Sequence, residues 1–256
     1  MPAGECKLYV LPNSHPCAAV EAALRLKGQS FERVDLLPMS QVLVGAIRFG
    51  GFTVPGMRID GERLVGSRPI MRRLDGLVPE PPLLPADPDL RRRVLDVERW
   101  GDEILQGVPR RILDVSFLRD PSAMEVFADG YDLPLPRAVL RPALPLTARV
   151  LATRWRATDE RALADIRALP GRLQRIDEWI AEGVLGGDQP NAADLQIGSS
   201  IRLLGAIEDL RPMIEQHAAA ALTRFFPPMT AAIPAGTLPA GWLEAAPVSG
   251  AAAATG

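Results

Sequence analysis

The chain has 256 residues, 47% of them hydrophobic, which is enough for a sizeable core in one large domain or two ordinary ones. Its 29 Lys+Arg and 31 Asp+Glu nearly cancel, which argues against a nucleic-acid partner held by bulk charge. No run of about 18 uncharged apolar residues appears, so no membrane span is expected, and the opening MPAGECKLYV does not resemble a secretory signal.

Two cysteines, Cys6 and Cys17, cannot build a disulfide framework, and a reducing cytoplasm is the natural setting. With two His beside them, a His/Cys zinc site is not expected, and no metal is assigned. Lysine is confined to positions 7 and 27 while Ala, Pro and Arg are abundant, a composition of GC-rich bacterial genomes.

Lys7–Leu11 reads as a buried strand closed by Pro12-Asn13. Residues 16–27 carry Ala19, Val20, Ala23 and Leu24 at helical spacing, with Pro16 at the start and Gly28 past the end. Phe31–Leu36 predicts a second strand and completes a β-α-β unit. Residues 38–53 are ambiguous, with Val42, Leu43, Ala46 and Ile47 able to line one face of a short helix. Met57–Ile59 and Arg63–Val65 flank Asp60-Gly61, a hairpin signal. Ser67 then stands as N-cap before Ile70, Met71 and Leu74.

Five prolines between 76 and 89 can continue neither a helix nor a central strand, so residues 77–89 read as a linker. Beyond it the period is helical. Leu90, Val94, Val97, Ile104 and Leu105 mark one helix. Prolines break 107–157 into short pieces. Thr158 opens a helix lined by Leu163, Ile166, Leu173, Ile176 and Trp179, in which Pro170 predicts a kink or a break. Asn191–Leu204 and Pro212–Phe226 predict two more helices. Residues 245–256 show no periodicity and are expected to be a disordered tail.

Four motifs carry chemistry. Ser14-His15-Pro16-Cys17 has the spacing of a CxxC redox motif with Ser in the leading position, at a strand-to-helix corner. Helix N–H groups and the macrodipole favour an anion there, so a thiolate would be stabilised. Ser14 either donates to a foreign sulfur or merely caps the helix; Cys17 is either a small core residue or a redox thiol; His15 is either a tunable charge or a partly exposed loop residue. Val54-Pro55 marks a turn that admits a cis bond. Gly66-Ser67-Arg68 offers N–H groups and a hydroxyl to a carboxylate, or plain capping. Asn191-Ala-Ala-Asp194 has the form of a capping box.

In order, these motifs resemble the glutathione S-transferase superfamily, and the resemblance spans most of the chain. It implies an α/β thioredoxin-like N-terminal domain (residues 1–76) followed by an all-α helical-bundle C-terminal domain (residues 90–244). Ser14 matches the active-site serine of the serine-type classes, with Val20-Glu-Ala-Ala-Leu24 where their helix reads roughly VR-x-A-L. Val54-Pro55 matches the family's cis-proline, whose preceding residue pairs with the cysteinyl part of glutathione. Ser67 matches the Ser that grips the γ-glutamyl carboxylate. The resemblance thus implies glutathione as co-substrate, Ser14 as thiolate stabiliser, and His15, Val54, Pro55, Gly66, Ser67 and Arg68 around the thiol ligand. It further implies a small apolar electrophile near Trp100, Ile104 and residues 107–120, and a homodimer through the N-terminal domain. The sequence departs from the family at Gly66, where Glu or Gln is usual, at Pro69 for Ala and at Ala19 for Arg. Those departures leave two alternatives: a non-catalytic scaffold, or an enzyme using another low-molecular-weight thiol.

Overall fold

A computed structural model of the chain describes residues 6–36, 40–49, 53–127 and 136–244, apart from the side chains at 41–43, 46 and 137. The expected tail and part of the Pro-rich 107–157 stretch therefore lie outside the described residues.

The first half runs β1 (Cys6–Val10), α1 (His15–Leu26), β2 (Glu32–Asp35), α2 (Ser40–Phe49), β3 (Gly56–Ile59), β4 (Glu62–Val65) and α3 (Ser67–Leu77). The sheet order is β2-β1-β3-β4, with β1 parallel to β2 and antiparallel to β3, which makes the domain thioredoxin-like. The β3–β4 turn places Asp60 (φ 49°) and Gly61 (φ 84°) in the left-handed region, as a two-residue hairpin loop requires. Helix α1 starts with Pro16 in its first turn and buries Ala19, Val20, Ala23 and Leu24 completely. It stops where Gly28 turns to φ 59° and the N–H groups of Gly28 and Gln29 close on Arg25 and Leu24. Of the proposed α2 face, Val42, Leu43 and Ala46 lie outside the description, and Ile47 is exposed rather than inward.

The Pro-rich connection is held from inside. Lys27, at the C-cap of α1, is buried and its ammonium donates to Asp75 Oδ1 (2.7 Å), the Val78 carbonyl (2.7 Å) and the Pro81 carbonyl (2.6 Å). The same Asp75 oxygen accepts the Leu83 N–H, and the Leu83 carbonyl accepts the N–H of Ala192. The connection is slightly shorter than 77–89, because Leu77 closes α3 and Asp87 already caps the next helix by accepting the Leu90 N–H.

Among the described residues the chain continues with α4 (Pro88–Trp100), a π-turn at Gly101–Leu105, α5 (Gly107–Arg119), α6 (Ala123–Phe127), α7 (Arg137–Leu140), α8 (Leu144–Trp155), α9 (Asp159–Ala181), α10 (Ala192–Gly205), α11 (Arg211–Glu215) and α12 (Ala240–Glu244), with 3₁₀ turns between some of them. At the π-turn the Gln106 N–H reaches back to Gly101 (2.8 Å). Pro109 has no N–H to return to Leu105, so the ordinary ladder is interrupted here in any case. The extra residue rotates the apolar face: Leu105 is fully buried, whereas Ile104, predicted inward, is 46% exposed.

Helix α9 runs through Pro170 as one element, so the expected break is absent. The helix predicted over Pro212–Phe226 is instead α11 followed by a 3₁₀ turn, Ala218–Phe225. Asp177 on α9 divides them, binding the His217 ring (2.6 Å) and the Ala219 N–H (2.8 Å). Helix α10 is central and almost wholly buried, against α1 on one side and the Ala218–Phe225 turn on the other. Its capping box is reciprocal: Asn191 accepts from the N–H groups of Ala193 and Asp194, and Asp194 accepts from those of Asn191 and Gly186.

Candidate functional site

Ser14 precedes α1 in extended conformation, and its carbonyl accepts the Ala18 N–H at 2.9 Å. Its hydroxyl caps no backbone N–H of the helix. It lies beside the side chain of Cys17, one turn on, and lowers the pKa of that thiol. Burial pushes the Cys17 thiol up to about 11, against the lowering effect of Ser14 and the Leu11 backbone. A buried, protonated thiol favours the core role for Cys17 over the redox one. Cys6 is likewise buried and pushed up to about 11.

His15 differs from its expected place. Its ring is only 2% exposed, and Nε2 lies 3.1 Å from the Gln106 carbonyl. A carbonyl only accepts, so Nε2 carries the proton. Burial, then the nearby charge of Arg110, holds His15 well below the ordinary imidazole range, which leaves it neutral near pH 7. The ring is a strut between α1 and the start of α5, not a partly exposed loop group or a switchable charge.

The Val54–Pro55 peptide is cis. The Pro55 carbonyl accepts the Gly66 N–H at 2.9 Å, which ties the second motif to the third. Gly66 adopts φ 90° and ψ 149°, a conformation that any residue with a Cβ takes only under strain. This is a backbone reason for glycine where the family carries Glu or Gln. Gly66 rather than Ser67 is the N-cap of α3, so the capping role expected of Ser67 is not realised.

Ser67 is buried and its hydroxyl donates to Gln196 Oε1 at 2.9 Å. Gln196 Nε2 donates in turn to Gln106 Oε1 at 2.9 Å. The residue that accepts from His15 through its backbone thus also meets Ser67 through its side chain. Arg68 faces Glu98 (3.4 Å) and Asp102 (3.6 Å), and Arg72 also pairs with Glu98. Glu98 is fully buried, and burial raises its carboxyl above the usual range in spite of both guanidiniums. Trp100, a candidate for the second-substrate site, packs edge-to-face on Trp179 at 5.0 Å.

Sequence reasoning passed over Gln106, Gln196 and Trp155, and reached Arg110 only as one of residues 107–120. None lies in a motif; each matters through a partner far along the chain. Arg110, one turn beyond Gln106 on α5, is half-buried and lies over the Trp155 ring at 4.4 Å.

Residues 8–82 match the family described as glutathione S-transferase, N-terminal domain. No curated protein sequence matches the chain. Among solved structures, the β-etherase LigF from Sphingobium sp. strain SYK-6 superposes with a TM-score of 0.63 at 20% identity, covering 86% of this chain and 93% of that one. A glutathione S-transferase from Methylobacterium radiotolerans, in complex with glutathione sulfonate, gives 0.56 at 19% identity, covering 88% and 96%. A bacterial zeta-class glutathione S-transferase, maleyl pyruvate isomerase, gives 0.56 at 22%, covering 86% and 96%. The N-terminal domain is thus similar to that of the glutathione S-transferases, and the fold of the chain is the one these solved structures share.

Proposed function

We propose that this chain binds glutathione against the N-terminal domain and transfers it to a small electrophile. The Ser14 hydroxyl and the first N–H groups of α1 hold the sulfur as thiolate. A charge-assisted hydrogen bond and the helix terminus each contribute on the order of 1 kcal/mol, or nearly one pKa unit apiece. The thiol proton leaves to solvent, the sulfur lone pair forms the C–S bond, and the leaving group departs with its bonding pair. Ser14 stabilises charge and forms no covalent bond. In this reading the Val54 N–H, which donates to no described protein group, pairs with the cysteinyl backbone. A homodimer through the N-terminal domain, in a reducing cytoplasm, completes the proposal.

The observation that carries this reading is Ser14 itself, a hydroxyl at the N-cap of α1 that leaves the helix start uncapped. Turning it from the Cys17 sulfur to a foreign one requires only a rotation about χ1.

A second reading is favoured by the third motif. Ser67 gives its hydroxyl to Gln196, Arg68 faces Glu98, and Gly66 has no side chain, so little remains there to grip a γ-glutamyl carboxylate beyond backbone N–H groups. A scaffold without catalysis, or an enzyme for a thiol lacking that group, fits this. Titration calorimetry with glutathione and a panel of other small thiols decides. Heat of binding with glutathione, and a conjugation rate lowered on the order of 10–100-fold in Ser14→Ala, support the transferase. Silence at millimolar glutathione overturns it.

A further inference from the structure

The guanidinium of Arg110 is half-buried. It makes no ion pair or hydrogen bond with any described residue; its neighbours act on it only through space. Trp155 supports it from one side at 4.4 Å, and Arg154 lies over the same ring at 4.6 Å. Two guanidiniums flanking one indole repel each other, an arrangement that an anion between or beside them would relieve.

Among the described residues no carboxylate forms an ion pair with Arg110, although Asp114 and Asp102 act on it through space. Asp102 is turned to Arg68 at 3.6 Å. Asp114 is buried four residues on along α5, with Oδ2 unpartnered, and burial pushes its carboxyl up to about 7. Cys17 is a protonated thiol and His15 is neutral, so neither α1 side chain facing Arg110 carries charge near pH 7. Its N–H donors, set in a fixed fork, have no acceptor among the described residues and are not sealed from solvent, so the Arg110 guanidinium stays open to a ligand.

The position of Arg110 gives this weight. Gln106 meets the His15 ring, next to Ser14, through its backbone carbonyl, and Arg110 stands one turn further along α5. Arg110 therefore overlooks the corner where the thiolate is proposed to sit, close enough to act on both His15 and Cys17.

We propose that Arg110, braced by Trp155, is the docking point for a carboxylate on the second substrate, so that the electrophile is a small organic acid with an apolar body. This rests on the transferase reading for its meaning, but not for its test. Glutathione is left out, and binding is followed by calorimetry with two unreactive probes of one shape, nitrobenzoate and nitrobenzamide.

The wild type is expected to prefer nitrobenzoate by on the order of 10–100-fold, and Arg110→Gln to erase that preference. Arg110→Lys keeps the charge without the fork and should retain part of it. Trp155→Leu removes the brace and should weaken the carboxylate more than the neutral probe. Thermal melts of each variant exclude misfolding as the cause. Equal affinity of the wild type for both probes, or an unchanged preference in folded Arg110→Gln, overturns the proposal. Carboxylate selectivity together with no glutathione binding would sink the transferase reading and leave the carboxylate site at Arg110 standing.

Discussion

Ser67 Oγ and Gln196 Oε1 meet at 2.9 Å across 129 residues of sequence, in a place closed to solvent. Through Gln196 Nε2 the contact continues to Gln106, and through the Gln106 carbonyl to His15. Two corners of the thioredoxin-like domain are thus fastened to the helical part by one short polar chain. Gln196→Leu leaves the Ser67 hydroxyl and the Gln106 amide oxygen without partners. The expected loss is about 1–3 kcal/mol, seen as a lower denaturation midpoint at unchanged slope. Ser67→Ala removes only the terminal donor and should cost less. Equal stability of Gln196→Leu and wild type would show that the chain is ornamental.

The same contact shows where sequence reading stops. Strand, helix and hairpin signals up to Ser67 depend on neighbours within a few residues, and Asp60-Gly61, Pro16 and Gly28 behave as local chemistry requires. The capping box of Asn191 and Asp194 is equally local. The direction of a side chain at a domain boundary is not. His15 and Ser67 sit where the motifs put them, yet their polar atoms are claimed by Gln106 and Gln196, and no pattern in the sequence announces either glutamine. Ile104 fails for another reason, since a π-turn shifts the helical period by one residue and Leu105 takes the buried place.

Lys27 gives a second prediction. Its ammonium is surrounded by Asp75 and by carbonyls of the connecting segment, and its side chain has no exposure. Lys27→Met would leave the Asp75 carboxylate beside unpaired carbonyls. Breaking a buried pair from one side costs about 3–5 kcal/mol, or about 10 °C in melting temperature for a chain of this size. Asp75→Asn added to Lys27→Met should recover part of the loss. A double variant no better than the single would place the cost in lost packing.

Asp114 and His15 predict opposite responses to pH. The Asp114 carboxyl sits at about 7 when folded and near 3.9 when unfolded, so between those values the folded chain holds the extra proton. Its contribution to stability is fullest at low pH and is lost as pH rises through about 7. Asp114→Asn should therefore raise the melting temperature by a few degrees at pH 8 and change little at pH 5. His15 is held below its unfolded value of about 6.5, so the unfolded chain takes up a proton first as the medium is acidified. Its contribution is complete above that value and falls away below it. His15→Asn should make the protein less sensitive to acid between pH 6.5 and 5, although weaker at pH 8 through loss of the Gln106 contact. Parallel pH–melting curves for wild type and both variants test the two signs at once.

The two thiols offer the sharpest check on the proposed corner. Both are buried, and both are pushed up to about 11. At pH 7.5 only on the order of one in several thousand is thiolate, the reactive form. A disulfide reagent should therefore label neither Cys6 nor Cys17 at an appreciable rate in the native protein, and both once it is unfolded. Ser14 lowers the Cys17 value, so Ser14→Ala should raise it further and slow the labelling still more. A general loosening of the corner would instead speed it. Cys17→Ala should retain the transfer proposed for Ser14. Rapid native labelling of Cys17, with activity lost in Cys17→Ala and kept in Ser14→Ala, would move the chemistry from the hydroxyl to the thiol.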